Sequence, residues 1–490
     1  MKKQKKFDII IIGSGIGGLM FGSLISDKKK VLLLEKDSNF GGYCSSFRRG
    51  TYNFEIGIEA INGLNNGQFI RQMFNRSGVL KSTVFTKPKS LYRAIYPDYD
   101  INVPQSNIDK YKQILYSKFS NEKKGIEGLI KVMGAIYSEI EYFDKVKKLT
   151  RSPYIMKYYK NTFKELLDEF ITDERLRTII SQYWVYCGIP PQGLSAITFS
   201  YIWYDYTCNG SFYPTKGMGN VVEQFVKVIR ENGGKVIQNA EVKKIYNTGD
   251  KANEIELADK KRYEANLFVS NIDARHTFDM LSDKNQKISK YIQKLESKEP
   301  SISAFKIYLG LDANLEKLGI SDSEVFLNPS YDLDKMYKAS LENRPDAAPL
   351  SIVVYSNLVP RMYDKNKSVV SIAMLSGYES WSKFGDKQYK TMKDELADNI
   401  IQRAEKVIPK LRQYIKERVI ATPRTMERYT GNSKGAIYGW SKGNLYDEIR
   451  FMKVTTPIKN LLLSSHWTKI GGGVAGVVRA AERAYRSLVN

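Results

Sequence analysis

The residues with the clearest chemistry lie near the amino terminus, where positions 13–18 read Gly-Ser-Gly-Ile-Gly-Gly. At this spacing Gly13 permits a tight turn, Gly15 lets a pyrophosphate approach the main chain, and Gly18 lets a helix pack closely against a strand. Glu35 follows at the distance expected of an acid that accepts hydrogen bonds from ribose hydroxyls. The pattern predicts a dinucleotide site.

The neighbouring segments supply the elements that such a site needs. Residues 7–12 (FDIIII) and 30–35 (KVLLLE) are apolar runs, typical of parallel strands buried on both faces. Residues 16–26 favour a helix between them, and its N-terminus would offer free N–H groups and a positive dipole to phosphates. Glycines alone are equally compatible with an ordinary turn. The strand before them and the helix after them favour the nucleotide site.

A second glycine pair indicates which dinucleotide to expect. Gly41-Gly42 follows the ribose acid and leads to Ser45 and Ser46. This arrangement resembles the FAD signature of the amine-oxidase-like flavoprotein superfamily. Glycine there lets the main chain approach the cofactor, and either serine is a candidate ligand of phosphate. A plain loop is the alternative interpretation of this pair when it is considered by itself.

Six further segments, in order along the chain, resemble motifs of phytoene desaturases, carotenoid isomerases and retinol saturases. The first, NFEIGIEAING, is similar to the FDxG loop that lines the flavin in that family, and the last, IGGGVAG, to its closing PGGGxPG motif. An ordered set is far more specific than any single motif. The segments are residues 53–63, 213–219, 269–274, 303–312, 421–440 and 470–476.

The resemblance implies an α/β fold with a discontinuous Rossmann-like FAD-binding domain of the glutathione-reductase type and an interleaved α+β substrate domain. It places the main chain of Gly471–Val474 against the flavin pyrimidine and that of Val242 against adenine. The expected FAD-binding residues are Gly13, Gly15, Ile16, Gly17, Gly18, Glu35, Lys36, Gly41, Gly42, Ser45, Ser46, Gly57, Ile58, Val242, His466, Gly472, Gly473 and Val474.

One departure from the family pattern lies at the flavin end. Ser465-His466 stands where relatives commonly have Gly-Asp or a similar small pair. His466 is expected to contact the ribityl or phosphate groups of FAD, with plain packing and a catalytic role as alternatives. His276, the other histidine, is expected to be structural.

Composition shifts along the chain predict the domain organisation. The FAD-binding domain is expected from residues 1–75, 215–295 and 420–490, and the substrate domain from 76–214 and 296–419. Within the latter, residues 85–206 favour helices, including 125–146 and 158–183, and 300–415 favour strands with a helix. At 490 residues, two or three domains are expected.

The overall composition excludes several classes of site and partner. Three cysteines without CxxC spacing and two histidines support neither a disulfide framework, a metal site nor a His-based triad. The net charge of +23 has two main interpretations, solvated surplus lysine and attraction to anionic lipid headgroups. Nucleic-acid binding is not expected, because no recognised module is present.

No apolar run is long enough to span a bilayer. A cytoplasmic protein is therefore expected, peripheral at the inner membrane face if the lipid interpretation holds. The oligomeric state is not indicated.

The resemblance also implies a function. The protein is expected to be an FAD-dependent oxidoreductase that acts on carbon–carbon bonds of a lipophilic polyene or isoprenoid, such as a carotenoid or retinoid. Desaturation, saturation and cis–trans isomerisation stay open, as do oxygen, a quinone or a separate reductase as electron acceptor. The weak catalytic candidates are Glu59, Arg424, Glu427 and Arg428, each equally compatible with a structural ion pair. The alternatives are an FAD-dependent oxidase of a soluble small molecule (C–N or ring C–C oxidation) and a non-catalytic scaffold.

Overall fold

Two seven-stranded sheets organise the chain in a computed structural model that describes residues 6–146, 152–441, 443, 453–469 and 471–489. In chain order the strands are β1 Lys6–Ile12, β2 Val31–Leu34, β3 Ser46–Arg49, β4 Tyr52–Glu55, β5 Phe85–Thr86, β6 Ser90–Ile95, β7 Asp100–Pro104, β8 Tyr213–Pro214, β9 Lys235–Ile237, β10 Val242–Thr248, β11 Lys251–Leu257, β12 Arg262–Ser270, β13 Ser303–Leu311, β14 Glu324–Leu327, β15 Leu350–Val354, β16 Ser368–Ser376, β17 Ile415–Ala421 and β18 Leu461–Leu463.

The helices pack against the faces of these sheets. In chain order they are α1 Ile16–Ile25, α2 Phe69–Arg76, α3 Ile108–Lys118, α4 Lys123–Val146, α5 Pro153–Tyr158, α6 Phe163–Asp168, α7 Glu174–Ile180, α8 Trp184–Cys187, α9 Ala196–Tyr204, α10 Gly217–Glu231, α11 Ala274–Asp279, α12 Gln286–Glu296, α13 Leu333–Leu341, α14 Tyr355–Leu358, α15 Glu379–Ser382, α16 Asp386–Ala404, α17 Leu411–Tyr414, α18 Pro423–Thr430 and α19 Gly473–Val489.

The first sheet has a parallel core in the order β9, β2, β1, β12, β18, extended by the antiparallel strands β11 and β10. Its apolar strands are buried on both faces, as the runs at 7–12 and 30–35 predict. Helix α1 is buried along its whole length and packs against α10 and α19. Segments from both ends of the chain therefore meet in one nucleotide-binding type of sheet.

The second sheet has the order β17, β13, β16, β15, β14, β6, β7. Alternate residues of its strands face opposite sides. Phe305 and Ile307 of β13 pack with α16 in one core, whereas Ala304 and Lys306 face the first sheet's side. Because both faces are covered, β13 is buried throughout. The α/β fold class with an interleaved second sheet is confirmed.

The helical region at residues 85–206 packs against the second sheet and differs from the sequence-based expectation in two places. Residues 158–183 were expected to form one helix, but they contain the last residue of α5 and two further helices, since the capping box of Thr162 and the N-cap Asp173 each begin a new helix. Before its helices, the region forms β5 and the β6–β7 hairpin, which joins the second sheet. No helix of the described ranges is both long and apolar enough to cross a membrane.

Candidate active site

The glycine turn after β1 has the local geometry that its sequence predicts. Gly13 has a φ of +92°, in the left-handed region that favours glycine. A Cβ at Gly18 would lie 2.4 Å from the Gly13 carbonyl oxygen, so α1 approaches the turn more closely than any side chain allows. The turn directs the first N–H groups of α1 toward the edge of the parallel sheet.

The N-terminus of α1 is buried without a partner of its own. Gly15 is the N-cap, no side chain caps it, and the first turn carries no acidic residue. A buried helix end leaves several N–H groups unsatisfied, which costs free energy unless a ligand accepts from them. An anionic group with several acceptor oxygens fits this helix end, and the pyrophosphate of FAD is such a group.

Glu35 lies at the end of β2, beside this turn. Its carboxylate accepts hydrogen bonds from the N–H of Ser14 at 2.9 Å and the hydroxyl of Ser14 at 2.5 Å. The Asp37 N–H donates to its other oxygen at 2.9 Å. The main chain of Ala240 donates to the Glu35 carbonyl, which brings Val242, at the start of β10, to the same edge. Three donors thus fix the orientation of this carboxylate, and its remaining lone pairs are acceptors.

The second glycine pair adjoins the first. Gly41 has a φ of +109°, forms a bridge with Gly15, and donates its N–H to the Ser14 hydroxyl at 3.1 Å. Ser45 is buried and Ser46 half-buried at the start of β3. Lys36 points elsewhere, since its ammonium donates to the Arg428 carbonyl at 2.9 Å. Ser14, which we did not predict as a site residue, links the two glycine loops to Glu35.

The carboxyl-terminal segment completes the same site. A Cβ at Gly17 would lie 2.1 Å from the Ser464 carbonyl oxygen, and the Ser464 hydroxyl donates to the Gly17 carbonyl at 3.0 Å. Helix α19 begins at Gly473 with no acidic residue in its first turn, after the half-buried Gly472, and Val474 is buried against the core. Contacts this close leave room for glycine only, which explains why the two distant segments are so rich in it.

His466 lies near the start of α19, between two aromatic rings. Its centroid is 6.2 Å from that of Tyr43 and 5.3 Å from that of Trp467. Burial lowers the pKa of His466 to about 4, and a hydrogen bond to the Ile437 carbonyl offsets this only in part. The imidazole is therefore neutral near pH 7, with one nitrogen left as an acceptor.

The loop at 56–59 is fixed to the second sheet by three side chains. The Tyr308 hydroxyl donates to the Ile56 carbonyl at 2.7 Å, and the Tyr355 hydroxyl donates to the Ile58 carbonyl at 3.1 Å. Lys306, 3% exposed, forms an ion pair with Glu59 at 2.7 Å. The sheet therefore determines where this loop, expected to line the flavin, presents Gly57 and Ile58.

A cavity of about 140 Å³ lies between that loop, the second sheet and α8. Gly57 and Gly473 line it, and so does the Lys306–Glu59 pair. Most other lining side chains are apolar, among them Ile56, Ile58, Val185, Leu375, Met426 and Ile437. The cavity thus connects the glycine-rich loops to an apolar chamber that contains a single ion pair.

Of the four catalytic candidates, the structure brings only Glu59 to the cavity. The other three lie on α18, whose Met426 lines the cavity instead. Arg424 stacks on the Tyr389 ring and lies 3.8 Å from Asp386, Glu427 accepts from the Tyr378 hydroxyl and the Lys434 N–H, and Arg428 is exposed. These contacts tie α18 to its neighbours.

Lys306 is a site residue that the sequence analysis missed. It lies in residues 303–312, SAFKIYLGLD, one of the six segments that carry the family resemblance. A lysine inside a largely apolar strand was the available signal. A buried lysine is rare unless it is paired, so this position indicates a charged partner elsewhere in the chain. Its partner is 247 positions away in sequence, so the pair itself could not be found by spacing.

Comparison with known proteins agrees with this geometry. The sequence profile of a family described as "Flavin containing amine oxidoreductase" matches residues 16–487. An all-trans-retinol 13,14-reductase of Danio rerio is 25% identical over 508 residues, covering 93% of this chain and 82% of the relative. A chloroplastic prolycopene isomerase of Arabidopsis thaliana is 26% identical over 459 residues, covering 89% and 74%.

The fold comparison covers both sheets and both chain ends. The crystal structure of an oxidoreductase from Methanosarcina mazei superposes with a TM-score of 0.66 at 15% identity, over 99% of each chain. The resemblance, the cofactor FAD and the enzyme class expected from the sequence are therefore confirmed. The chain belongs to the flavin containing amine oxidoreductase family.

Proposed function

We propose that this protein is an FAD-dependent oxidoreductase that acts on a carbon–carbon bond of a lipophilic polyene, such as a carotenoid, a retinoid or another isoprenoid. The observation that carries the proposal is the apolar cavity that opens onto Gly57 and Gly473. An oxidase of a soluble small molecule calls for a polar pocket, which the apolar lining does not favour.

In this proposal the two helix N-termini hold the cofactor. The N–H groups after Gly15 bind the pyrophosphate, Glu35 accepts from the adenosine ribose, and the main chain near Val242 contacts adenine. The start of α19 at Gly473 lies against the flavin ring, where its dipole stabilises negative charge. Lys36 stays in this set as a main-chain contact, because its ammonium is engaged by the α18 main chain.

The remaining residues orient the substrate and keep the site dry. When bound, FAD accepts or donates a hydride, and the protein's task is to place a substrate carbon beside it. The walls of the cavity exclude water and favour an apolar chain over a charged one. Lys306 is a buried cation beside the loop at 56–59, and Glu59 holds its ammonium at 2.7 Å, so the pair places one fixed polar group within the chamber.

The relatives' names support a polyene substrate. One is a retinol reductase and the other a prolycopene isomerase, and both names denote conjugated chains. The apolar lining of the cavity is compatible with reduction, desaturation or isomerisation of such a chain. We further propose that oxygen, a quinone or a separate reductase exchanges electrons with the flavin, and that the net charge of +23 favours contact with an anionic membrane surface.

Incubation of the FAD-loaded protein with a membrane lipid extract, once in air and once with the flavin reduced by dithionite, followed by mass analysis, tests the proposal. A loss of two hydrogens indicates a desaturase, a gain a saturase, and an unchanged mass with a new retention time an isomerase. Gly17→Val is the matched control without cofactor, because a side chain at this position would collide with the Ser464 carbonyl and disrupt the FAD site. Turnover of a soluble amine or ring compound with no change in any lipid pool would overturn the polyene assignment.

A further inference from the structure

A second buried polar pair lies beside the cavity, on a different strand of the second sheet from Lys306. Tyr186 of α8 lines the chamber, and its hydroxyl donates to the carboxyl of Glu324, the first residue of β14. Glu324 is 8% exposed. Within the described ranges no lysine or arginine forms an ion pair with it, so a phenol is the partner of this acid.

The strand register shows that Glu324 lies on the cavity face of the second sheet. Lys306 pairs with Ala373, Ala373 with Ser351, and Ser351 with Phe326. Residues paired across strands share a face, and residues two apart on one strand also share it. Glu324 is two residues from Phe326 and therefore lies on the face that carries Lys306.

The same register gives the distance between the two polar pairs. From β13 the sheet continues through β16 and β15 to β14, which is three strand spacings. At about 4.8 Å each, the main chains of Lys306 and Glu324 are separated by about 14 Å across the strands. The polar side chains approach each other more closely than the main chains do, since the negative charge of Glu59 acts on Glu324.

Tyr186 differs from the other tyrosines that line the cavity. The hydroxyl of Tyr43 donates to the Ala436 carbonyl at 3.1 Å, and that of Tyr438 to the Val185 carbonyl at 3.1 Å. Both of these bonds go to main-chain carbonyls, whereas the Tyr186 hydroxyl bonds to a carboxyl side chain. Burial, reinforced by the negative charge of Glu59, raises the pKa of Glu324 well above its ordinary value.

A phenol that donates to a carboxyl retains acceptor lone pairs, and the carboxyl adds acceptors of its own and, once protonated, one O–H donor. An alcohol, which can accept one hydrogen bond and donate another, complements such a pair, whereas a hydrocarbon satisfies neither group.

We propose that Tyr186 and Glu324 form the subsite for an oxygen-bearing end of the substrate, so that the polyene taken by this enzyme carries a terminal hydroxyl. This deepens the proposed function and rests on it. The hydroxyl binds at the β14 side of the sheet, and the conjugated chain extends across β15 and β16 toward Lys306 and the flavin loops. The pair acts on binding and does not touch the reacting carbons.

Binding of two matched probes to the FAD-loaded protein tests this subsite. The probes are all-trans-retinol and the same polyene with hydrogen in place of its hydroxyl, followed by quenching of protein fluorescence. Wild type is expected to bind the alcohol about 10-fold more tightly than the hydrocarbon, as for one or two buried hydrogen bonds. Tyr186→Phe and Glu324→Leu are expected to remove this preference, whereas Glu324→Gln retains it, because an amide offers the same donor and acceptor as a neutral acid.

Tyr438→Phe is the control, since it removes a cavity hydroxyl that bonds only to main chain and should weaken both probes alike. Equal binding of the two probes to wild type, or an unchanged preference in Tyr186→Phe, overturns the subsite. If the hydrocarbon is nevertheless altered at a carbon–carbon bond, the proposed function stands and only the subsite fails. If neither polyene binds or reacts, both fail.

Discussion

The low pKa of His466 makes a measurable prediction about stability. In the unfolded chain an imidazole has a pKa of about 6.5, whereas burial between Tyr43 and Trp467 lowers the pKa of His466 to about 4. Between these values the unfolded chain binds a proton that the folded protein does not. The free energy of unfolding therefore falls as the pH falls from 6.5 to 4, and is unaffected by this group above pH 6.5.

The magnitude follows from the two pKa values. Each pH unit corresponds to about 1.4 kcal/mol, so at pH 5 the loss is about 2 kcal/mol and by pH 4 about 3 kcal/mol. Glu55 and Asp205, whose pKa values burial raises to about 7 and about 6, have the opposite dependence. Their contribution is common to wild type and variant and cancels in a difference.

Urea unfolding with excess FAD, followed by tryptophan fluorescence at pH 7.5, 6 and 5, measures that difference. The stability advantage of wild type over His466→Gln is expected to shrink by about 2 kcal/mol between pH 7.5 and 5. His276→Gln, at the exposed second histidine, is the control and should follow wild type at every pH. A constant difference between wild type and His466→Gln, or one that grows toward pH 5, would refute the assignment of a buried neutral imidazole.

Three further substitutions probe the cofactor site and the cavity. Gly17→Val places side-chain atoms where a Cβ already lies 2.1 Å from a main-chain carbonyl, so the purified protein should lack FAD absorbance, whereas Gly385→Ala, in open space, should retain it. Ser14→Ala removes the hydroxyl that joins Glu35 to the second glycine loop and should weaken FAD binding about 10-fold in a reconstitution titration, and unchanged affinity would contradict that role. Lys306→Met leaves a buried carboxylate unpaired and should cost about 3–5 kcal/mol in urea unfolding. Adding Glu59→Leu should recover most of that loss, and no recovery would show that the two residues do not act as a pair.

Local signals explain why much of the fold could be predicted. The apolar runs at 7–12 and 30–35 form β1 and β2, because a strand buried on both faces carries apolar residues throughout and does not alternate apolar with polar ones. The glycine pair at 233–234 is a local stop signal, and α10 ends just before it, at Glu231. The long helix expected over 158–183 is wrong for an equally local reason. Apolar periodicity continued across Thr162 and Asp173, and their capping side chains begin new helices there.

The sequence by itself determined the cofactor, FAD, and predicted where it binds, because such a site depends on main-chain geometry that glycine encodes locally at positions 13–18 and 41–42. Only the tertiary structure decided what faces the substrate. Lys306 meets Glu59 across 247 positions and Tyr186 meets Glu324 across 138, and each pair forms because strand register places both residues at one cavity. Side-chain contacts between distant segments follow from packing and register, and neither can be read from local composition or spacing.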